Sequence, residues 1–502
     1  MNLGDLLYSM KWYARTRQNS QGLANDTEEV GLTDSTLSLG KPSTWGSGQQ
    51  CKDWLSTCQT NTQRLEKMMK VKLDRIAEKA KQDKQLKFSS LIHHVNVENL
   101  AECYQDLKRN KACGIDRVTV DEYGENLTEN LEKLVVSLKA KSYRPKPVRR
   151  VYIPKPGKAE KRPLGIPSVE DKVVQIMLKK ILEGIFEADF MDFSYGFRPR
   201  RSCHDAIKAL DQNVMIKPVN YIVEVDIRKF FDEVNHYWLQ RCLEERVSDR
   251  NLLWLIRRIL KAGVVSEGKK MATDVGTPQG GIISPLLANI YLHYVLDLWF
   301  EKKIKPKARG HMDLIRYCDD FVVCCESEQE AKQFMDALKQ RLSKFGLNVS
   351  DEKTRLVKFG RRVWQLSQRR KEKVESFDFL GFTHYCAKSR RGKFIMGHKT
   401  SKKNLSGKLK EIKKWLQDIR NLIRLKDWWP ALKAKLIGHY NYFGISGNHR
   451  WIRKFYRSVF WLAFKWINRR SQKKSMTLEV YERYLQFNPL PTPRICYALY
   501  SF

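Results

Sequence analysis

The stretch Leu314-Ile-Arg-Tyr-Cys-Asp-Asp-Phe-Val-Val-Cys-Cys325 sets two short apolar runs on either side of an acidic pair, Asp319 and Asp320. Flanks rich in β-branched and aromatic residues predict two strands, with the aspartates where a two-residue hairpin turn falls. Two like charges in one turn are costly unless something positive, such as a divalent metal, comes to meet them. A second strand-like run, Tyr221-Ile-Val-Glu-Val-Asp226, also ends in a carboxylate. Two aspartate-bearing strand ends suggest a metal-dependent enzyme.

The charge balance indicates what such an enzyme works on. The 502 residues include 93 Lys plus Arg against 56 Asp plus Glu, a formal net charge of +37. Solubility needs far less, so a long polyanion is the expected partner. No apolar run approaches the ~18–20 residues of a bilayer span, and Met1 to Tyr13 lacks a signal-peptide core, so no membrane partner is expected. Eleven cysteines without CxxC pairs read as reduced thiols of an intracellular protein. Cys51 and Cys58 lack His or Cys partners at zinc-site spacing.

Along the chain, residues 17–50 are rich in Gly, Ser, Thr, Asn and Gln and read as a linker, followed by a basic helical stretch, Gln63 to Lys84. Ser168-Val-Glu-Asp171 is a capping box before an amphipathic helix carrying Val174, Met177, Ile181 and Ile185. Ser284-Pro285 is another helix start, with Pro at the first helical position. Strands and helices alternate through roughly 90–385, as an α+β domain requires. Strand signals then disappear after about 398, and from Lys399 to Lys474 the only acids are Glu411, Asp418 and Asp427. That stretch reads as a separate basic helical domain.

Extending a 3′-end by phosphoryl transfer takes two divalent ions about 3.5–4 Å apart, one for the attacking hydroxyl and one for the leaving pyrophosphate. Hard Mg²⁺ takes carboxylate oxygens, with nucleotide phosphates and water completing its shell. Asp226 and Asp319 are expected to ligate both ions, Asp320 to assist, and the Ile227 carbonyl to add a further ligand. After Asp226 come Phe230 and Phe231. Either could lie under the ribose C2′ and exclude a 2′-hydroxyl, and ordinary core is the competing reading of both.

Tyr317-Cys-Asp-Asp320 and the Asp226 segment resemble the catalytic motifs of reverse transcriptases. More specifically, Gly276-Thr-Pro-Gln-Gly-Gly-Ile-Ile-Ser-Pro-Leu-Leu-Ala-Asn289 resembles the segment of group II intron-encoded reverse transcriptases that lies against the incoming nucleotide. The glycines, Gly280 among them, suit close backbone approach to a substrate, and the Gln279 amide can bond a sugar or base. Family members commonly carry Ala where Cys318 stands, and Cys is small enough to fit.

The same resemblance assigns further roles. Ile153 to Pro167 resembles the family's fingers hairpin, with Lys155 and Arg162 as triphosphate contacts. Ser194 to Ala206 is similar to another family signature, in which Arg198 is either structural or a template contact. Gly346 to Thr354 matches the motif whose lysine lies near the leaving pyrophosphate. Lys353 is then a general acid or, equally, a solvated turn lysine. Phe377-Asp-Phe-Leu-Gly-Phe382 resembles the primer-grip hairpin, with Phe379, Leu380 and Gly381 holding template and primer. Asn110 to Thr119 resembles the N-terminal extension of non-retroviral reverse transcriptases.

Leu436 to Gly444 and Trp466 to Ser475 resemble the maturase, or thumb, domain of group II intron proteins, with Arg469, Arg470, Lys473 and Lys474 on RNA. Most aromatics of that region, at helical spacing, suit core rather than base stacking. The 27 residues after Ser475 hold one Cys and no His, too few ligands for the HNH-type endonuclease some family members carry.

The expected architecture is an α+β right-hand polymerase with an antiparallel palm sheet, followed by an α-helical thumb/maturase domain. Its divisions are residues 1–85 as leader, 86–385 as fingers and palm, 386–475 as thumb/maturase and 476–502 as a short tail. The resemblance implies a bacterial-type, cytoplasmic RNA-directed DNA polymerase bound to nucleic acid. It would use two Mg²⁺ ions and dNTPs on an RNA template and DNA primer or target, and bind its group II intron RNA to assist splicing and mobility. Two alternatives stand beside it: a free-standing host-adopted reverse transcriptase, and an RNA-binding maturase without polymerase activity.

Overall fold

The computed structural model describes residues 72–154, 161–266, 269–271, 275–276, 280–469 and 476–499. Residues 1–75 form one unit and 76–502 another; the elements named here all lie in the second. The leader's first 71 residues, Cys51 and Cys58 among them, fall outside the described residues, as do Lys155, Gln279, Arg470, Lys473 and Lys474.

The sheet that carries the aspartates has the order β6-β7-β3-β8, all antiparallel, from β3 (Tyr221–Asp226), β6 (Met312–Tyr317), β7 (Asp320–Cys325) and β8 (Arg355–Lys358). Its central strands are covered on both sides, so β7 runs Phe321 to Cys325 without an exposed residue. That is why the sequence reads as unbroken apolar runs rather than alternation. One face packs Ile222, Val322 and Cys324 against Ala206 and Leu210 of helix α2 (Cys203–Ile216) and Phe377 of a second sheet. Helix α5 (Glu328–Lys344) packs against β3 and β7.

The second sheet, β9 (Ser376–Phe379), β10 (Phe382–Lys388) and β11 (Phe394–Thr400), is antiparallel. A third joins β1 (Val148–Pro154), β2 (Lys161–Ile166), β4 (Val264–Ser266) and β5 (Lys269–Met271). Helix α1 (Val169–Phe186) starts where Ser168 accepts a hydrogen bond from the Asp171 amide, and it buries Val174, Met177, Ile181 and Ile185. Helix α4 spans Ser284–Leu292, with Ile283 in the capping position and no side-chain cap. Ser284 is therefore the first helical residue and Pro285 the second, one place later than the sequence suggested.

Beyond β11 the described residues form helices α7 (Lys402–Ile419), α8 (Leu425–Phe443), α9 (His449–Ile467) and α10 (Leu478–Phe487). They share a core of Leu416, Trp428, Trp429, Leu432, Tyr440, Phe455, Trp466 and Tyr481, while Trp461 stays exposed. Helix α10 packs on this core through Tyr481, and the boundary expected at 385/386 falls inside β10.

His439 is buried in that core, its ring stacked on Phe455 at 3.5 Å, and burial, with Lys408 adding, pushes its pKa down to about 3. In the unfolded chain a histidine titrates near 6.5, so below that pH the unfolded state takes a proton that the folded state refuses. Stability is then lost as pH falls from about 6.5, by about 1.4 kcal/mol per pH unit for this group. A His439→Phe variant should accordingly gain roughly 1 kcal/mol on wild type between pH 7.5 and 5.5. Urea unfolding at both pH values measures this, and a stability difference that ignores pH would contradict it.

Candidate active site

Antiparallel register sets Asp226, the last residue of β3, directly opposite Asp320, the first of β7. Tyr317 pairs with Asp320 across the hairpin, so its two loop residues are Cys318 and Asp319, not the two aspartates. Cys318 takes φ +60°, as the first loop position of a II′ turn requires. Asp319 is thus at the tip, and Asp320 belongs to the strand.

The three carboxylates feel one another. Burial, then the charges of Asp319, Asp226 and Glu224, push the Asp320 pKa up to about 7. Asp319 is also raised, chiefly by burial, with Asp226 adding and Arg162 opposing. The Asp226 carboxylate accepts a 2.6 Å bond from the Lys353 Nζ, because the 348–354 segment folds along the end of β3. There the Arg228 amide donates to the Asn348 carbonyl, Ile227 bridges to Val349, and the Ser350 amide donates to the Asp226 carbonyl.

Asp320 lies toward the second sheet, where the Leu380 amide partly offsets the rise in its pKa. Phe379 pairs with Phe382, so Leu380 and Gly381 form a two-residue turn, both at positive φ (49° and 83°). The helices hold this turn from the other side. The Tyr442 hydroxyl donates to the Leu380 carbonyl at 3.0 Å. The Gly381 carbonyl accepts from the Ser401 amide at 3.1 Å and from Asn404 Nδ2 at 3.2 Å. Phe379 itself is buried.

Among the described residues no three His, Cys, Asp or Glu side chains form a ready metal cluster. The donors nevertheless suit a hard divalent cation. They are carboxylate oxygens at one sheet end, and the pKa values of Asp319 and Asp320 are raised by burial and by repulsion that a cation would relieve. Asp226 and Asp319 would hold it.

Around the carboxylates the sequence-derived candidates separate. Arg162 lies on β2 opposite Ile153, exposed, and close enough for Asp319 to sense its charge. Phe230 is 2% exposed and belongs to the core, so a sugar contact through it is corrected; Phe231, half-buried beside it, keeps that possibility. A side-chain carbon at Gly276 would meet the Phe231 and Asp232 carbonyls at 3.0 and 2.8 Å, and one at Gly280 the Gly165 carbonyl at 2.4 Å. A glycine at 280 is therefore required by its contact with β2. Gly276 thus lies against Phe231 and Asp232, and Gly280 against β2, the strand that carries Arg162.

Arg198 is also corrected. Its guanidinium faces inward, bonded to the Glu187 carboxylate and to the Met191 and Ser194 carbonyls, and a template contact through it falls away. His204, buried near the start of α2, meets the Tyr442 carbonyl at 2.8 Å. Arg469 is exposed just past α9. Arg316 donates to both Asn289 and Asp297 behind the hairpin, and these three were not singled out from sequence. The available signal was a charged residue within an apolar strand, which demands a buried partner.

An acidic sheet end within reach of the Arg162 charge, in a chain this basic, suits a metal-assisted site for nucleic acid. Residues 153–384 match the family model described as reverse transcriptase (RNA-dependent DNA polymerase). Over 271 residues the chain is 36% identical to the group II intron-encoded protein LtrA of Lactococcus lactis subsp. cremoris, covering 51% of this chain and 44% of that protein. It is 38% identical over 199 residues to protein YkfC of Escherichia coli K12, covering 39% and 52%. Over 151 residues it is 30% identical to the nuclear intron maturase 4, mitochondrial, of Arabidopsis thaliana, covering 30% and 19%. The chain spans about half the length, or less, of these curated relatives. The segment 153–384 thus matches a reverse transcriptase domain, and the relatives it resembles include a group II intron-encoded protein and an intron maturase. No helix among the described residues is long and apolar enough to cross a membrane.

Proposed function

We propose that the protein is an RNA-directed DNA polymerase that also binds its group II intron RNA, assisting splicing and mobility by target-primed reverse transcription. The observation that carries this reading is the facing of Asp226 and Asp320 across one register pair, with Asp319 at the adjoining tip. In this reading residues 86–385 are the fingers and palm of a right hand, 386–475 the thumb/maturase domain, and 476–502 the tail.

Asp226 and Asp319 would hold two Mg²⁺ ions, with the Ile227 carbonyl and Asp320 as further ligands. When bound, the metal lowers the pKa of the primer 3′-hydroxyl and neutralises charge on the leaving pyrophosphate. Arg162 binds the dNTP triphosphate, with Lys155 and Gln279 assigned to the same substrate by family motif. The ring of Phe231 excludes a ribose 2′-hydroxyl. Lys353, 2.6 Å from Asp226, is positioned to give the departing pyrophosphate a proton. The Leu380–Gly381 turn steadies the primer end, and Arg469, with the Arg470–Lys474 segment, contacts RNA phosphates.

Primer extension on an RNA template with dNTPs and Mg²⁺ tests the polymerase. A protein that binds intron RNA tightly yet extends nothing would overturn that half of the reading. RNA affinity tests the other half. If six or more phosphate contacts dominate, affinity should drop on the order of 10³-fold between 50 and 200 mM salt. A flat response, measured by filter binding, would contradict it.

A further inference from the structure

Arg316 stands in the middle of β6, fully buried (0% exposed). A guanidinium keeps its proton there, so its donors have to be met by acceptors. Nε and Nη2 fork onto the two oxygens of Asp297, at 2.8 and 2.5 Å, and Asp297 is itself completely buried. Nη1 divides between the Asn289 side-chain oxygen at 3.1 Å and the Cys318 carbonyl at 3.0 Å.

Asn289 carries the restraint onward. Its Nδ2 donates to the Gly196 carbonyl at 2.6 Å. A side-chain carbon added at Gly196 would lie 2.4 Å from the Cys318 nitrogen, so this backbone lies flat against the hairpin turn. The Tyr195 amide donates to the Arg316 carbonyl and the Arg316 amide to the Phe193 carbonyl, which locks the same segment beside β6.

The residue so enclosed is Cys318, a non-glycine at φ +60°. A side chain in that region persists only where its surroundings over-determine it. An ion pair built for the fold alone would be complete with Asp297. Here the fourth side-chain bond reaches the carbonyl that immediately precedes Asp319.

We propose that Arg316, oriented by Asp297 and Asn289, is a positioning residue that holds the Cys318 carbonyl and so aims the Asp319 carboxylate at the site it shares with Asp226. It touches neither substrate nor metal. The inference rests on the reading of Asp319 as a metal ligand.

The test is Arg316→Lys, whose single ammonium can keep the Asp297 contact but cannot fork to the turn. Thermal unfolding and RNA binding should stay near wild type. Mn²⁺ affinity of the protein with primer–template and dNTP, read by electron paramagnetic resonance, should weaken about ten- to hundredfold, as loss of one charge-assisted restraint implies. The Mg²⁺ concentration for half-maximal extension should rise in parallel. If Arg316→Lys does not fold, the double variant Arg316→Met with Asp297→Leu keeps the core apolar and filled and should show the same metal defect. A folded variant with wild-type Mn²⁺ affinity and wild-type Mg²⁺ dependence overturns the proposal. Asp319→Ala separates the two readings: if it binds Mn²⁺ like wild type, the ligand assignment fails, whatever Arg316 does.

Discussion

Asp319→Ala should lose primer extension on the order of 10³-fold or more, while RNA affinity and its salt dependence stay as in wild type. Removing this carboxylate takes away a ligand from the site that stabilises charge in the transition state, an effect of several kcal/mol. Little should happen to the fold. Asp319 sits at a hairpin tip, and its pKa is already raised by burial and by Asp226, so the folded state gains by losing the charge. Single-turnover extension with saturating dNTP measures the loss. A variant that still extends within tenfold of wild type would remove Asp319 from the chemistry.

Phe231→Ala should let ribonucleotides in. Phe230 is taken up by the core, so only the half-buried neighbour can present a ring to a sugar. Its backbone is fixed by the approach of Gly276, so the ring cannot easily withdraw. Trimming it to a methyl should narrow the preference for dNTP over rNTP by about 10–200-fold, the range a change of pocket shape commands. Extension with each nucleotide class, compared as kcat/KM ratios, reports it. The efficiency with dNTP should fall much less than the preference. Equal discrimination in variant and wild type would place the sugar elsewhere.

Much of this arrangement was legible in residue order because its strands are apolar on both faces and end in acids. Asp226 and Asp320 face each other in the register that pairs 221–226 with 320–325. The turn was read one residue late. A cysteine carries none of the usual signals for positive φ, and the surroundings that tolerate it at 318 come from residues 195–196, 289 and 316. Distance in sequence hid other roles too. Gly280 is needed because Gly165 lies against it, and Arg198 is spent on Glu187 rather than on a template. Such assignments depend on which backbones meet, and residue type alone does not say.

The Leu380–Gly381 turn also bears on where this enzyme could be cut. The match to the reverse transcriptase family model ends at residue 384, partway along β10, while the turn just before it is tied by Ser401, Asn404 and Tyr442. Asn448 adds a further tie, bonding both the amide and the hydroxyl of Thr400 at the end of β11. A fragment trimmed to the matched segment would split a strand and leave two left-handed residues without their anchors. The segment that matches the family model is therefore shorter than the stretch these bonds join, and a fragment cut from this chain has to keep the helices that follow it to hold the turn.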